Sequence, residues 1–193
     1  MPANSLPGTG AAAERWCKLP IGWFHLRASE AGLVSASLAA AGAGLPPGKR
    51  CGHGPNPRAE AVLDLAEREL KAYFRGALRA FSVPLDLTGM TPFRQSVLNA
   101  CRKVPYGETL GYGQLGHRAG YPGSARAVGQ AMARNPLALV VPCHRVVGHD
   151  GSLTGYGGGL ELKKHLLALE RGIGERGAKG VCGQPGKRRQ TRQ

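Results

Sequence analysis

A β-branched, apolar run from Val140 to Gly148 constrains the fold more than any other stretch, because it predicts one buried strand that Pro142 interrupts. Proline lacks the amide hydrogen that a strand ladder needs and fixes φ, so the strand should bend where Cys143 follows. Two interpretations of this thiol are open. It is a reactive group held at a bend, or it is a structural cysteine that packs as a small hydrophobe.

Length and cysteine content limit the class of protein. The 193 residues allow one domain or two small ones, at roughly 100–200 residues per domain. Five cysteines without a framework spacing, and a first segment unlike a signal peptide, predict reduced thiols. We therefore expect an intracellular protein, in the cytoplasm of a prokaryote or the nucleus of a eukaryote. No apolar run approaches the ~18 residues of a membrane span, so no membrane partner is expected.

Positive charge is concentrated in the second half of the chain. The net charge is +14, of which residues 1–86 contribute +3, residues 87–171 contribute +6 and residues 172–193 contribute +5. Such a charge attracts polyanions, so nucleic acid is the expected partner. Because basic tails are often only solvated, the middle block is the stronger indication.

The first half predicts a scaffold domain over residues 16–88, with no cluster of reactive groups. Residues 1–15, rich in proline, glycine and alanine, are expected to be disordered. Two roughly alternating runs between Ile21 and Leu38 predict a β-hairpin. The remaining elements are a loop over 40–58, a helix from Val62 to Phe74 and a short final strand from Phe81 to Leu87.

The second half, residues 89–171, predicts a helical unit. Thr91 and Pro92 are an N-cap and a first helical residue, and apolar side chains then follow one face as far as Val104. Helices over Tyr112–Ala119 and Ser124–Arg134 are separated by a glycine-containing turn, which is the outline of a helix-turn-helix. In the second helix Ala125, Ala127 and Gly129 surround Arg126. That pattern is typical of a helix that approaches DNA closely, and equally of a tightly packed core helix with one surface arginine.

The C-terminal part predicts a hairpin, a loop and a last helix. Residues 146–154 have the pattern of a hairpin, which after a helix-turn-helix makes a winged helix. The last helix runs from Leu160 to Arg171 with Leu162, Leu166 and Leu169 buried. Glu170 lies beside that apolar stripe and needs either a partner or access to water. Residues 172–193 have no periodicity and are expected to form a disordered basic tail.

A nucleophilic cysteine needs a base or a positive field, because a thiol of ordinary pKa, ~8.5, is mostly protonated at neutral pH. His144 is adjacent, but neighbours in a strand point to opposite faces. Proton transfer between Cys143 and His144 therefore requires a bend or a bridging water. A cysteine hydrolase would also need an oxyanion hole, and no residues in the sequence indicate one.

These residues resemble the O6-alkylguanine-DNA alkyltransferases, also called methylated-DNA–protein-cysteine methyltransferases. The resemblance covers residues 91–170 and, more weakly, the first hairpin and helix. Its landmarks are PYGET at 105–109, YGQL at 112–115, ARAVGQAM at 125–132, NP at 135–136, PCHRVV at 142–147, GYGGG at 155–159 and LLALE at 166–170.

The resemblance implies an α+β fold, in which a small ribonuclease-H-like domain precedes a winged helix-turn-helix that binds DNA. It also implies irreversible transfer of an alkyl group from guanine O6 to the protein, so that each molecule acts once. Cys143 corresponds to the acceptor, His144 to a base acting through water, and Glu170 to the carboxylate that orients this histidine. Asn135 corresponds to the residue that joins the helix-turn-helix to the active-site loop.

The remaining implied residues concern DNA and the flipped base. Arg126 corresponds to an arginine that fills the space left by the base, and Tyr112 to a tyrosine that assists flipping. The small residues around Arg126 imply contact with the minor groove of duplex DNA containing O6-alkylguanine. The implied base pocket is lined by Met132, Val146, Tyr156, Gly157 and Gly158.

Some residues depart from the family pattern. Gly157 stands where some members have serine, and Leu98 where tryptophan is common. Some members bind zinc in the first domain, but Cys17, His25, Cys51 and His53 lack a convincing ligand spacing. We expect a monomer without metal or cofactor. Three other classes are less compatible with the sequence: lesion-binding relatives lack the cysteine, a winged-helix regulator needs no thiol, and a hydrolase would turn over.

Overall fold

The computed structural model describes residues 12–39 and 55–172, and its fold is α+β. The predicted basic tail therefore lies outside the described residues from position 173 onward. No helix in the described ranges is both long and apolar enough to span a membrane. The elements in chain order are β1 (Ala13–Leu19), β2 (Gly22–Ala28), β3 (Leu33–Leu38), α1 (Pro57–Phe74), α2 (Pro92–Arg102), β4 (Leu110–Gly111), α3 (Tyr112–Arg118), α4 (Ala125–Ala133), β5 (Val146–Val147) and α5 (Leu160–Glu170).

The first three strands form an antiparallel sheet in the order β1-β2-β3. The predicted hairpin is confirmed as β2 and β3, but β1 was not predicted. The expected disorder of residues 1–15 is therefore wrong from Ala13 onward, whereas residues 1–11 lie outside the described residues. The inward side of β1 includes Arg15, which is buried against carboxylates of α1. The sequence of β1 therefore lacks the alternation of apolar and polar residues that predicts a strand.

Helix α1 covers the inner face of this sheet. Its N-cap is Asn56, whose side chain accepts a hydrogen bond from the amide of Ala59, and Pro57 is the first helical residue. The loop predicted over 40–58 is therefore two residues too long at its C-terminal end. Residues 40–54 of that loop lie outside the described residues. The helix buries a stripe that includes Val62, Leu63, Ala66, Leu70 and Tyr73.

The predicted strand over Phe81–Leu87 is wrong, because only Leu85 makes a bridge, parallel to Leu33 of β3. Pro84 explains the short pairing, since it has no amide hydrogen for a ladder. Its carbonyl oxygen accepts a hydrogen bond from the Leu33 amide at 2.8 Å.

The two helices predicted on either side of the glycine-containing turn are confirmed as α3 and α4, and α2 packs against both. Thr91 caps α2 by accepting a hydrogen bond from the Arg94 amide, as its position in the sequence predicts. Gly116 allows the close approach of α3 to the following turn. A Cβ atom there would lie 2.8 Å from Ser124 Oγ and 3.0 Å from the Tyr121 carbonyl oxygen.

The strand that the sequence predicts from Val140 does not extend through the residues before Cys143. A 3-10 turn spans Cys143–Arg145, and only then does β5 begin. β5 pairs in parallel with β4, and no strand follows it in the part of the chain described here, so the predicted wing hairpin is wrong. A hydrogen bond from the Gly148 amide to the Ser152 carbonyl oxygen closes a turn without a ladder.

Two contacts join the halves of the chain into one core. The Ala36 amide of β3 donates to the Pro136 carbonyl oxygen at 2.8 Å, and the Ala138 amide donates to the Ala36 carbonyl oxygen at 2.9 Å. α5 has the predicted position but a different buried face. Lys163, Leu166, Leu167 and Glu170 are buried, whereas Leu162 and Leu169 are only partly covered.

Candidate active site

Cys143 lies at the start of the 3-10 turn, where the Asn135 side chain holds the loop. The Asn135 Nδ2 atom donates to the Val141 carbonyl oxygen at 2.9 Å, and its Oδ1 atom accepts from the Leu137 amide at 3.0 Å. Asn135 follows the end of α4, so this side chain joins the helix-turn-helix to the thiol. The structure thus brings Asn135 and Cys143 together, as the resemblance implies.

The environment of Cys143 keeps its thiol protonated. Burial raises the pKa of Cys143, and a hydrogen bond with Asn135 and the positive charge of Lys163 oppose that rise only in part. The side chain is 9% exposed, at the wall of a cavity. A nucleophile in this position therefore needs a base at the moment of reaction.

His144 follows Cys143 directly in the 3-10 turn, and its imidazole is paired with Glu170. Its Nε2 atom lies 2.7 Å from Glu170 Oε1, and both side chains are fully buried. Burial lowers the pKa of His144, and the charge of Glu170 opposes this only in part. A neutral imidazole that donates through Nε2 leaves Nδ1 as an acceptor. Nδ1 is buried and has no hydrogen-bond partner among the described residues.

Glu170 accepts hydrogen bonds from four residues. Its Oε1 atom accepts from the Tyr73 hydroxyl at 2.6 Å, from His144 Nε2 and from Arg145 Nη2 at 2.9 Å. Its Oε2 atom accepts from Arg145 Nε at 2.9 Å and from the Gly107 amide at 3.0 Å. Burial opposes ionisation, but the hydrogen bonds from His144, Arg145 and Tyr73 outweigh it and lower the pKa of Glu170 to about 2. The carboxylate is therefore charged at neutral pH.

Lys163 is a second buried cation near the thiol. Its Nζ atom donates to the Val146 carbonyl oxygen at 2.6 Å and to the Thr154 carbonyl oxygen at 2.9 Å. Burial lowers the pKa of Lys163, and the nearby Cys143 opposes that change. These hydrogen bonds connect α5 to β5 and to the loop that leads to Tyr156.

A cavity of about 800 Å³ opens beside Cys143. Four of the five predicted pocket residues line it together with the thiol: Met132, Tyr156, Gly157 and Gly158. Val146 does not line it, since its side chain is buried in the core. Residues of β2 and β3, including Trp23 and Leu38, form the opposite wall.

The exposed face of α4 carries the predicted DNA-binding residues. Ala125, Arg126 and Ala127 are exposed, whereas Val128, Ala131 and Met132 on the other side of the helix are buried. Gly129 of α4 lies beside Tyr112, and a Cβ atom at this position would make an ordinary van der Waals contact, 3.9 Å from the tyrosine ring. The Tyr112 hydroxyl accepts a hydrogen bond from Thr154.

The described residues contain no group of three or more histidine, cysteine or acidic side chains arranged to hold a metal ion. Cys17 and His25 lie on the paired strands β1 and β2. Cys51 and His53, the other two residues considered as zinc ligands, lie outside the described residues.

Comparison with known proteins agrees with this geometry. Residues 92–172 match the family model described as the DNA-binding domain of 6-O-methylguanine DNA methyltransferase. A methylated-DNA–protein-cysteine methyltransferase of Mycolicibacterium paratuberculosis is 53% identical over 122 residues, which cover 63% of this chain and 72% of that protein. The chain belongs to the methylated-DNA–protein-cysteine methyltransferase family. A Mycobacterium bovis protein of the same name is 54% identical over 103 residues, covering 53% of this chain and 62% of the relative.

Solved structures of the methyltransferase family share the fold. The crystal structure of Mycobacterium tuberculosis OGT in complex with DNA has a TM-score of 0.69 and 40% identity, covering 84% of this chain and 95% of that one. The O6-methylguanine-DNA methyltransferase of Pyrococcus kodakaraensis has a TM-score of 0.51 and 27% identity, covering 81% and 97%.

Four residues around Glu170 and the thiol have no role in the sequence-based hypothesis for this methyltransferase. Arg145 and Gly107 lie within motifs of the resemblance, whereas Tyr73 and Lys163 lie outside them. A lysine and a glutamate seven residues apart on the buried side of α5 are the signal that could have indicated a buried polar cluster. Of the departures from the family pattern, Leu98 is fully buried in the core, and Gly157 has open space around its Cα.

Proposed function

We propose that this chain repairs DNA by moving an alkyl group from guanine O6 to Cys143, once per molecule. The observation that carries the proposal is the buried pair of His144 and Glu170, 2.7 Å apart, behind a thiol that lines a cavity. Nothing in this arrangement regenerates the thiol. The names of the relatives support the same reaction.

The transfer is a displacement at the alkyl carbon. A bond forms between Cys143 Sγ and that carbon while its bond to guanine O6 breaks, and the guanine leaves with the electron pair. The thiol proton passes to His144 Nδ1 through a bridging water. The departing guanine then takes up a proton from the imidazolium, so that His144 is neutral again and the charge balances. Glu170 stabilises the imidazolium that forms between these steps.

DNA binding is proposed to occur through the exposed face of α4. Small residues at 125, 127 and 129 permit close approach to a minor groove, and Arg126 is long enough to fill the space left by a flipped base. Tyr112, which lies beside Gly129, would assist flipping and hydrogen-bond the departing guanine. The neighbouring structure with bound DNA supports DNA as the partner.

The finer fold assignments belong to the same proposal. We assign the residues from β1 to position 88 to a ribonuclease-H-like domain and residues 89–171 to a helix-turn-helix domain, in which the turn at 148–152 stands where the wing was expected. Acting on chromosomal DNA, the protein would work inside the cell as a monomer without a cofactor.

The experiment is incubation with a duplex that contains one O6-methylguanine, followed by intact-mass measurement and peptide mapping. We expect one added methyl group, on Cys143 and not on the buried Cys17 or Cys101. A duplex with unmodified guanine is the control. Lesion binding without any methylated cysteine would overturn the proposal and indicate a recognition protein.

A further inference from the structure

The first half of the chain contributes a side chain to the reacting cluster. Tyr73 is the last buried residue of the α1 stripe, and it is fully buried. Its hydroxyl reaches Glu170 Oε1 at 2.6 Å, across 97 residues of sequence. This oxygen is also the one that contacts His144.

We propose that Tyr73 is a positioning residue for alkyl transfer, acting through Glu170 on His144. The inference rests on the proposed function, because it concerns the same thiol and base. It assigns a role in the chemistry to α1, which the sequence predicts only as part of a scaffold.

Packing fixes the direction of the Tyr73 hydroxyl. Aromatic rings surround its own ring, with centroids 5.2 Å away for Phe74, 5.6 Å for Phe81 and 6.0 Å for Tyr106. Burial and the neighbouring carboxylate of Glu170 raise the pKa of Tyr73, so its hydroxyl stays protonated and can only donate to Oε1. The carboxylate oxygen is thereby held where His144 Nε2 meets it.

A donor on Oε1 also weakens this oxygen as a base. A carboxylate whose charge is already shared with Tyr73 stabilises the His144 imidazolium less strongly than a carboxylate without that donor. Tyr73 therefore opposes protonation of His144, in the same direction as the burial that lowers the pKa of this histidine. The titratable and charged groups facing His144 and Glu170 are Cys143, Arg145, Lys163, Tyr73, Tyr106 and Tyr156.

The test is Tyr73→Phe, with Tyr106→Phe as the matched control. Both changes remove one hydroxyl from the same aromatic cluster, but the Tyr106 hydroxyl makes no hydrogen bond among the described residues. We expect the pKa of His144, measured by NMR titration, to rise by roughly 0.5–1 unit in Tyr73→Phe alone. At pH values below the His144 pKa of both proteins, the single-turnover transfer rate of Tyr73→Phe should be roughly 3- to 10-fold lower than that of the wild type. The difference between the two rates should shrink as the pH rises.

A double mutant separates action through Glu170 from a packing role. In a Glu170→Gln background the Tyr73→Phe change should alter the rate less than about twofold, because the group it acts on is gone. If the Tyr73→Phe change only reduces the fraction of folded protein, the amplitude of the transfer reaction falls while the rate constant and the His144 pKa stay unchanged. That result would overturn the inference. An unchanged His144 titration would do the same.

The two proposals fail in different ways. Wild-type protein that never methylates Cys143 refutes the proposed function, and the NMR titration still decides whether Tyr73 acts on His144. Wild-type protein that transfers normally, alongside a Tyr73→Phe variant with the same pH profile, refutes only the inference.

Discussion

Lys163 Nζ lies 2.6 Å from the carbonyl oxygen of Val146, and the same ammonium group binds the Thr154 carbonyl oxygen 2.9 Å away. One cation thus closes the segment between β5 and the loop that forms the cavity wall at Tyr156. Lys163 is fully buried, and its bond to the Val146 carbonyl oxygen lies in the interior.

Lys163→Met should destabilise the protein by roughly 1–3 kcal/mol and slow alkyl transfer. The change removes the lysine donor from the buried Val146 carbonyl oxygen, breaks the part-buried bond to Thr154 and removes a positive charge near the thiol. Lys164→Met is the control, because Lys164 is exposed and its ion pair within the described residues is with Glu161, a contact worth less than about 1 kcal/mol. Urea denaturation and single-turnover rates measure the two effects. Equal stability of both variants would show that Lys163 is not needed to hold the loop.

Glu170→Gln should slow transfer and alter the acid stability of the protein. The folded pKa of Glu170 is about 2 and the usual value is near 4.5, so the charged group stabilises the fold above about pH 4.5 and this contribution disappears as the pH falls towards 2. The contribution is on the order of 3 kcal/mol. The lowered pKa of His144 adds a loss that begins below about pH 6.5, because the unfolded imidazole takes up a proton first. Urea denaturation from pH 3 to 7 should show a shallower acid slope in the variant; identical slopes would contradict the assignment.

Cys143→Ser should abolish transfer and leave DNA binding nearly unchanged. The hydroxyl is almost isosteric with the thiol but is a far poorer nucleophile, and the Asn135 contacts that shape the loop involve backbone atoms. Intact mass and a binding titration with lesion DNA measure the two properties. Methylated protein in this variant would place the acceptor elsewhere.

Arg126→Ala should impair repair of duplex DNA far more than reaction with free O6-benzylguanine. The free base is already unstacked, so only the duplex reaction needs the side chain that stabilises the emptied position. Loss of a few kcal/mol corresponds to a roughly 10- to 1000-fold slower duplex reaction. Arg68→Ala removes the same charge from an exposed position of α1 and is the control. An equal fall on both substrates would make Arg126 a packing or thiol-tuning residue.

Local signals predicted the helices well. The N-cap Thr91, the following Pro92 and the apolar face through Cys101 are encoded within α2 itself, and the structure confirms them. Strand β1 was missed because Arg15 is buried only when α1 supplies Glu60 and two further carboxylates, which no local pattern contains. The predicted hairpin after Cys143 failed for a similar reason, since β5 pairs with the distant β4.

The sequence predicted those residues of the candidate site that lie within motifs. Resemblance brought Cys143, His144 and Glu170 into one hypothesis, and the structure places the last two in contact. The remaining donors to Glu170 come from a backbone amide and from α1, so their roles depend on tertiary packing. The sequence left two alternatives for Glu170, a partner or access to water, and the structure shows a buried carboxylate with four partner residues.

Ala36 of β3 pairs with residues 136–138, the segment that leads to Cys143. This segment therefore cannot detach unless the edge of the sheet opens at the same time. Any movement that pulls residues 136–138 away from β3 breaks the hydrogen bonds on both sides of Ala36 together. The loop therefore has no independent low-energy opening of the kind that separate surface loops have. Separation of this segment from β3 carries the cost of losing a strand neighbour, which ties the cavity wall at Ala36 and Ala138 to the stability of the sheet.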